Sequence, residues 1–122
     1  MADHNLDVFA EQLVRGVRDA AIRDCLVAVG PHGKSPSAKR WRAALESANM
    51  TAICDSVIPG CIDAAIFFLL DAIDNGNMRL LFLAPDGSTV DLQEEGGMSL
   101  AGFYIENDRE GWRNRYSNYG VE

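Results

Sequence analysis

The chain has 122 residues and a net charge of −7, with 18 acidic residues against 11 basic ones. This length fits one domain that can bury its own core without disulfides or a metal, so we predict a single globular domain over residues 1–122. The acidic balance disfavours nucleic acid as a partner, because a negative surface repels a phosphate backbone.

The first predicted element is an amphipathic helix over residues 6–29. Its apolar residues recur every three or four positions, at Leu6, Phe9, Leu13, Val17, Ala21, Cys25 and Leu26, which is the helical period. Gly30-Pro31 ends it. After a loop, Ser37 is expected to cap a short helix with Trp41 and Leu45 on its buried side.

The next helix is predicted to begin at Ser47 or Thr51, and Pro59 permits two arrangements of the helical segment around it. The proline fits the first turn of a fresh helix, and it also fits a kink in one long helix over residues 50–74. The sequence leaves both arrangements open.

The most apolar segment, residues 62–74, predicts a helix that stops at Asn75-Gly76. Its acidic strip is narrow and contains Asp63, Asp71 and Asp74, with Phe67 among them. Because almost the whole circumference is apolar, we predict a central helix that other elements cover. We do not expect a membrane span, since the aspartates interrupt an apolar run shorter than the roughly 20 residues that a bilayer needs.

Two short strands are predicted next, over residues 78–83 and 89–92, and Pro85-Asp86-Gly87 makes the turn between them. We expect the apolar side chains of this hairpin to lean on the helices, because two strands alone are marginal in water; these are Leu81, Leu83, Val90 and Leu92. Gly96-Gly97 is a break. A short helix over residues 99–105 and a last one, capped by Asn107 or Asp108 and containing Trp112 and Tyr116, complete the chain.

Together these elements predict a mainly α (α+β) fold, a helical array of about five helices with one β-hairpin inserted before the C-terminal helices. The N-terminus lacks the charged, apolar and small-residue order of a signal peptide, so we expect a cytoplasmic protein. Three cysteines without a Cys-x-x-Cys pair, Cys25, Cys54 and Cys61, argue against a disulfide framework or a zinc site. We expect reduced thiols in the core, no metal and no cofactor.

The negative charge is concentrated in the middle of the chain. Residues 51–108 contain ten acidic residues and a single basic one, Arg79, which is a net charge of −9. Such a field attracts a basic partner, although it also serves solubility. Near the C-terminus, Trp112, Arg113 and Tyr116 are residue types that are common in protein interfaces.

No nucleophile motif is present: no serine lies in a Gly-x-Ser-x-Gly setting, and neither His4 nor His32 has an evident partner. We therefore predict a non-catalytic protein-binding or regulatory module, of the kind exemplified by immunity proteins, with an acidic face. The residues that we expect to contact the partner are Asp63, Phe67, Asp71, Asp74, Trp112, Arg113 and Tyr116.

Three alternatives remain open from the sequence. The aspartates at positions 63, 71 and 74 are candidates for a small-molecule or metal site, conceivably an enzymatic one, because clustered carboxylates bind divalent cations or share a proton. They are equally candidates for structural ion pairs with Arg79, Arg113 or Arg115. The third alternative is a homodimer that uses the hairpin edge or Phe67.

Three stretches carry a resemblance to a known group of proteins: residues 63–74, Arg79-Leu80-Leu81-Phe82, and Gly111-Trp112-Arg113 with Arg115-Tyr116-Ser117. They resemble a family of small uncharacterised bacterial single-domain proteins. The resemblance implies a bacterial cytosolic protein, and it implies no activity and no catalytic residue.

Overall fold

The computed structural model describes residues 3–119. These residues form six helices and one two-stranded antiparallel sheet, which confirms the predicted mainly helical fold with a hairpin before the C-terminal helices. Residues 1–2 and 120–122 of the predicted domain lie outside the described residues. The elements are α1 (residues 3–29), α2 (Pro36–Ala44), α3 (Met50–Asp74), β1 (Leu81–Leu83), β2 (Thr89–Asp91), α4 (Leu92–Gly96), α5 (Leu100–Ile105) and α6 (Trp112–Tyr116).

Helix α1 contains a π turn at Val14–Arg18, where the N–H of Asp19 donates to the carbonyl of Val14, five residues back. A π turn adds a residue to the helical repeat and so shifts which side chains face inward. Two consecutive charged residues at the end of this turn, Arg18 and Asp19, are buried. Gly30 ends the helix as predicted, and its N–H donates to the carbonyls of Leu26 and Val27.

Helix α2 is capped by Ser35, so the prediction of Ser37 was wrong. The Ser35 hydroxyl accepts from the N–H of Ala38 at 3.0 Å. Pro36 favours this position, since a proline fits the first turn, where no N–H is needed. The short helix buries Ala38 and leaves Trp41 exposed, so the predicted burial of Trp41 was also wrong.

Helix α3 is one continuous element of 25 residues, the second of the two arrangements that Pro59 permitted. Asn49 caps it, accepting from the N–H of Ala52 at 3.1 Å. A π turn at Ile53–Val57 precedes the proline. A proline ring collides with the carbonyl four residues back in a regular helix, and the wider π turn relieves that collision.

The prediction that this helix is covered all round was wrong. Ile66, Leu70 and Ile73 are buried, but Phe68 is 66% exposed. Within residues 3–119, α3 is the one helix whose length and composition would allow it to cross a membrane. The expectation against a span counted a shorter apolar run, so its argument from length does not apply to this helix. Only 17% of its most apolar 18-residue stretch is buried.

The β-hairpin pairs Phe82 with Val90, and its strands are shorter than predicted. Val90 and Leu92 are buried as expected, whereas Leu81 and Leu83 are exposed. Neighbouring residues of a strand point to opposite faces, and it is Phe82 that faces the helices: its ring lies 5.4 Å from that of Phe9 in α1.

The core lies between α1, α3, β2 and the three C-terminal helices. Its buried apolar residues are Leu6, Ala10, Leu13, Val14, Ile66, Leu70, Ile73, Val90, Leu92, Leu100, Ala101, Tyr104 and Trp112. The cysteines are not part of it, which corrects the prediction of core thiols: Cys61 is exposed, while Cys25 and Cys54 are half-buried, and all three are free.

Candidate functional site

The most concentrated polar chemistry in the described residues is a buried group of four charged side chains, which we call the ion cluster: Arg18, Asp19, Asp63 and Arg113. Asp63, midway along α3, accepts from Arg18 Nε at 2.7 Å and from Arg113 Nη1 at 2.7 Å. The Tyr104 hydroxyl also donates to Asp63. The ion cluster contains two cations and two carboxylates, so its charges balance.

Arg113 is held by three further acceptors near the end of α5. Its guanidinium donates to the carbonyl oxygens of Tyr104 at 3.1 Å and Ile105 at 2.8 Å, and to Asn107 Oδ1 at 2.9 Å. A planar guanidinium with five N–H donors suits such a junction. Arg113 thereby ties α6 to α5 as well as to α3.

The other end of the ion cluster anchors the chain beyond α6. Ser117 accepts from Arg18 Nη1 at 2.6 Å and donates to Asp19 Oδ1 at 2.7 Å. The backbone N–H of Asn118 donates to Asp19 Oδ2 at 2.8 Å. Both anchoring side chains, Arg18 and Asp19, lie where the π turn of α1 ends.

The contacts around Asp63 shift the pKa values of three buried groups. Burial alone would raise the pKa of Asp63, but hydrogen bonds from Arg18, Tyr104 and Arg113 outweigh it and hold that pKa below its usual range. Burial and the hydrogen bond to Asp63 raise the pKa of Tyr104. Burial opposes the charge on Arg18, yet the bond to Asp63 leaves its pKa raised. Asp63 and Arg18 are therefore ionised beside a neutral Tyr104 hydroxyl.

The ion cluster is chemically closed. Within residues 3–119, no buried side-chain nitrogen or oxygen lacks a hydrogen-bond partner, so the cluster has no orphaned group that would await a substrate or an ion. Its arrangement can orient four helices and the segment that follows α6, and we assign it that structural role.

The other two aspartates of the predicted acidic strip, Asp71 and Asp74, have hydrogen-bond partners outside the ion cluster. Asp74 is buried, and its two oxygens accept from the backbone N–H groups of Leu100 and Ala101, each at 2.9 Å. It therefore caps α5 and does not pair with an arginine. Asp71 is half-buried and accepts from the Asn75 side chain at 3.2 Å. No group of three or more metal-ligating side chains occurs in the described part of the chain.

The predicted contact residues are thus divided among several environments. The ion cluster contains Asp63 and Arg113, and Trp112 is a core residue whose ring lies 6.1 Å from that of Phe9. Phe67 and Tyr116 are half-buried, and the latter lies under two guanidinium groups, Arg15 and Arg115. The structure brings Asp63 and Arg113 together, and Phe67 lines a surface cavity with them. Trp112 packs in the core and Tyr116 lies under the two arginines, so these two aromatic members are held elsewhere.

Sequence reasoning missed Arg18, Asp19, Tyr104 and Ser117. One of them left a signal: Arg18 follows Val14 by four residues and so continues the stripe that Leu6 and Ala10 begin. A cation on an apolar stripe needs a buried anion, and Asp63 interrupts the other long apolar helix in the same way.

A second feature is a cleft of about 570 Å³ between α1, α4, α5 and α6, which we call the acidic groove. Its residues are Leu6, Asp7, Glu95, Phe103, Glu106, Glu110, Trp112 and Arg115. The rings of Phe103 and Trp112, which are 5.9 Å apart, belong to this lining. The lining thus combines four carboxylates and two aromatic rings with one guanidinium.

No family model, curated protein or solved structure matches this chain.

Proposed function

We propose that the chain is a non-catalytic, bacterial and cytosolic protein-binding module, regulatory or immunity-like, that holds a basic segment of another protein in the acidic groove. The observation that carries the proposal is the meeting of four carboxylates and two aromatic rings in one open cleft. Lysine and arginine side chains combine a cation with an apolar stem, and the groove offers a surface for each part.

The charge of the groove favours a cation. Its one guanidinium, Arg115, is already engaged, since it lies 3.4 Å from the Asp7 carboxylate and stacks over the ring of Tyr116. A hydrogen bond and charge repulsion from Asp108, with a contribution from Glu110, raise the pKa of Glu106. A bound cation would relieve this crowding of negative charge.

The titratable groups elsewhere support a binding role over a catalytic one. Asp63, Arg18 and Tyr104 have clearly shifted pKa values, but they stabilise one another in the interior. Structural ion pairs of this kind shift pKa values without any reaction. The exposed carboxylates of the groove have no nucleophile among their lining residues.

The proposal is tested with a fluorescent oligo-arginine peptide, titrated against the protein and read by polarisation. The groove variant replaces three exposed carboxylates, as Glu95→Gln, Glu106→Gln and Glu110→Gln. The matched control removes the same charge from exposed positions outside the groove, as Asp24→Asn, Glu46→Gln and Asp55→Asn. An oligo-glutamate peptide controls for the labelled backbone.

We expect the groove variant to weaken peptide binding about tenfold, or 1.4 kcal/mol, relative to the control variant. Affinity should also fall as the pH falls through the raised pKa of Glu106, because protonation removes a charge that the peptide binds. Equal losses in the two variants would mean that only overall charge attracts the peptide, which would contradict a role for the groove.

A further inference from the structure

A long apolar surface is left uncovered on the side of α3 that faces away from the core. We call it the outer face of α3, and it consists of Val57, Cys61, Ala64, Ala65, Phe68 and Leu69, all of which are exposed. Phe68 alone is 66% exposed, and Val57 is 50% exposed. Contiguous exposed apolar surface of this kind marks an interaction site.

The outer face also carries no unpaired charge. Between Ser56 and Leu70 the only charged residue is Asp63, and its carboxylate is bound by Arg18 and Arg113. Two acidic molecules repel each other through most of their surfaces, but this stretch allows them to approach without placing like charges opposite each other.

The charge pattern argues against a lipid surface as the occupant. Helices that lie on membranes carry lysine or arginine along their polar side. Residues 50–78 contain neither, and the whole chain has a net charge of −7. An anionic bilayer would therefore repel this protein, and no lysine or arginine within residues 50–78 offsets that repulsion.

A cavity on the outer face supplies a shape that fits a second copy. It has about 390 Å³ and is lined by Gly60, Ala64, Phe67, Phe68 and Ile105, with Asp63 and Arg113 at its base. A Cβ atom added at Gly60 would meet nothing within 4 Å. The cavity thus has room for an aromatic ring next to the exposed Phe68.

We propose that the outer face of α3 is a homodimer interface, in which two α3 helices cross antiparallel about a two-fold axis near Ala64. In such a pair, a residue four positions after the axis meets the residue four positions before it. Phe68 would then pack against Gly60 of the partner subunit, and each ring would fill the cavity of the other copy. Gly60, Ala64 and Phe68 form one ridge at four-residue spacing, and such ridges interdigitate at helix crossings.

This interface is separate from the acidic groove, so each proposal can fail without the other. The test is the molar mass of the purified full chain, measured by sedimentation over micromolar to millimolar concentrations. Two variants address the interface: Phe68→Glu adds a charge, and Gly60→Leu fills the cavity. Their matched controls are Leu83→Glu, at a residue that is 69% exposed on the hairpin, and Gly16→Leu, at another exposed helical glycine with no atom within 4 Å of an added Cβ.

We expect the unaltered chain to approach twice 13.3 kDa, and both interface variants to weaken dimerisation at least about tenfold. The control variants should dimerise as the unaltered chain does. Thermal unfolding of Gly60→Leu is also measured at concentrations where the variant is monomeric, to separate a lost interface from a damaged fold. Because leucine favours the helix over glycine, the variant monomer should be at least as stable as the unaltered monomer.

Three results would overturn the proposal. One is a chain that stays monomeric throughout the concentration range. The same conclusion follows if this monomer binds anionic or neutral lipid vesicles in a flotation experiment. Another is a dimer that Phe68→Glu and Gly60→Leu leave intact. The last is a dimer that Leu83→Glu alone disrupts, because it would assign the interface to the hairpin.

Discussion

The Asp63 carboxylate lies 2.7 Å from the Arg113 guanidinium, and this contact ties the middle of α3 to the last helix across 50 residues of sequence. Arg18 binds the same carboxylate from α1. One side chain therefore connects the beginning, the middle and the end of the described chain, and its removal should destabilise the whole fold.

The first prediction concerns Asp63→Asn. The substitution leaves two buried guanidinium groups against a single carboxylate, Asp19, and an uncompensated buried charge typically destabilises by about 3–5 kcal/mol. We expect a loss of about 3 kcal/mol in the free energy of unfolding, measured by urea denaturation. Asp71→Asn is the control on the same helix, because this half-buried aspartate makes one exposed hydrogen bond; we expect it to lose about 0.5 kcal/mol or less. Equal losses would contradict the role given to Asp63.

The second prediction is an acid-dependent loss of stability. The pKa of Asp63 is lower in the folded chain than in the unfolded one, so its contribution is present above the unfolded pKa of about 3.9 and is lost as the pH falls through the folded pKa. The difference in unfolding free energy between the unaltered chain and Asp63→Asn should therefore shrink below about pH 4. Urea denaturation at a series of acid pH values measures it. A difference in unfolding free energy that stayed constant down to the lowest pH would contradict the lowered pKa of Asp63.

The third prediction concerns Tyr104→Phe, which removes a hydroxyl that donates to Asp63. We expect a loss of about 1–2 kcal/mol at neutral pH. Because the folded pKa of Tyr104 is raised, its contribution is complete below the unfolded pKa of about 10 and is lost as the pH rises towards the folded value. The difference in unfolding free energy between the unaltered chain and Tyr104→Phe should therefore narrow above about pH 10, as measured by denaturation. A difference that widened there would contradict the raised pKa of Tyr104.

Much of this fold could be predicted from local patterns. The period of α1, the stop at Gly76, which has φ +81°, and the Pro85-Asp86-Gly87 turn are all local signals. The positions of Asp63 and Asp74 depended instead on partners 26 to 50 residues away. Sequence period identifies an unusual residue on a helix face, but it does not identify which distant group will bind it.

The coverage of α3 could not be predicted for a different reason. The sequence pattern is the same for an apolar side chain that packs in the chain's own core and for one that stays exposed. Phe67 and Phe68 illustrate this, since the first packs against the core and the second is exposed, although they are adjacent. The length of α3 also depended on the π turn before Pro59, which has no sequence signature that we recognised.

The fourth prediction concerns Asp74→Ala. This change removes both acceptors from the buried N–H groups of Leu100 and Ala101. Loss of a helix cap costs about 0.5–2 kcal/mol, and unsatisfied buried donors add to it, so we expect about 2 kcal/mol. Asp74→Asn keeps one acceptor and should lose less. Asp55→Ala, at an exposed position of the same helix, is the control in the same denaturation assay, and a loss as large as that of Asp74→Ala would contradict capping as the cause.

An affinity capture from lysate of the cells that naturally contain this protein tests the acidic groove as a binding surface, with three baits compared at low and moderate salt. The baits are the unaltered chain, the three-carboxylate groove variant and its charge-matched control. We expect a basic protein that binds the unaltered chain and the control in stoichiometric amount, binds more weakly at moderate salt, and is lost from the groove variant. A captured protein that binds all three baits equally, or no captured protein at either salt concentration, would contradict the acidic groove as a binding surface.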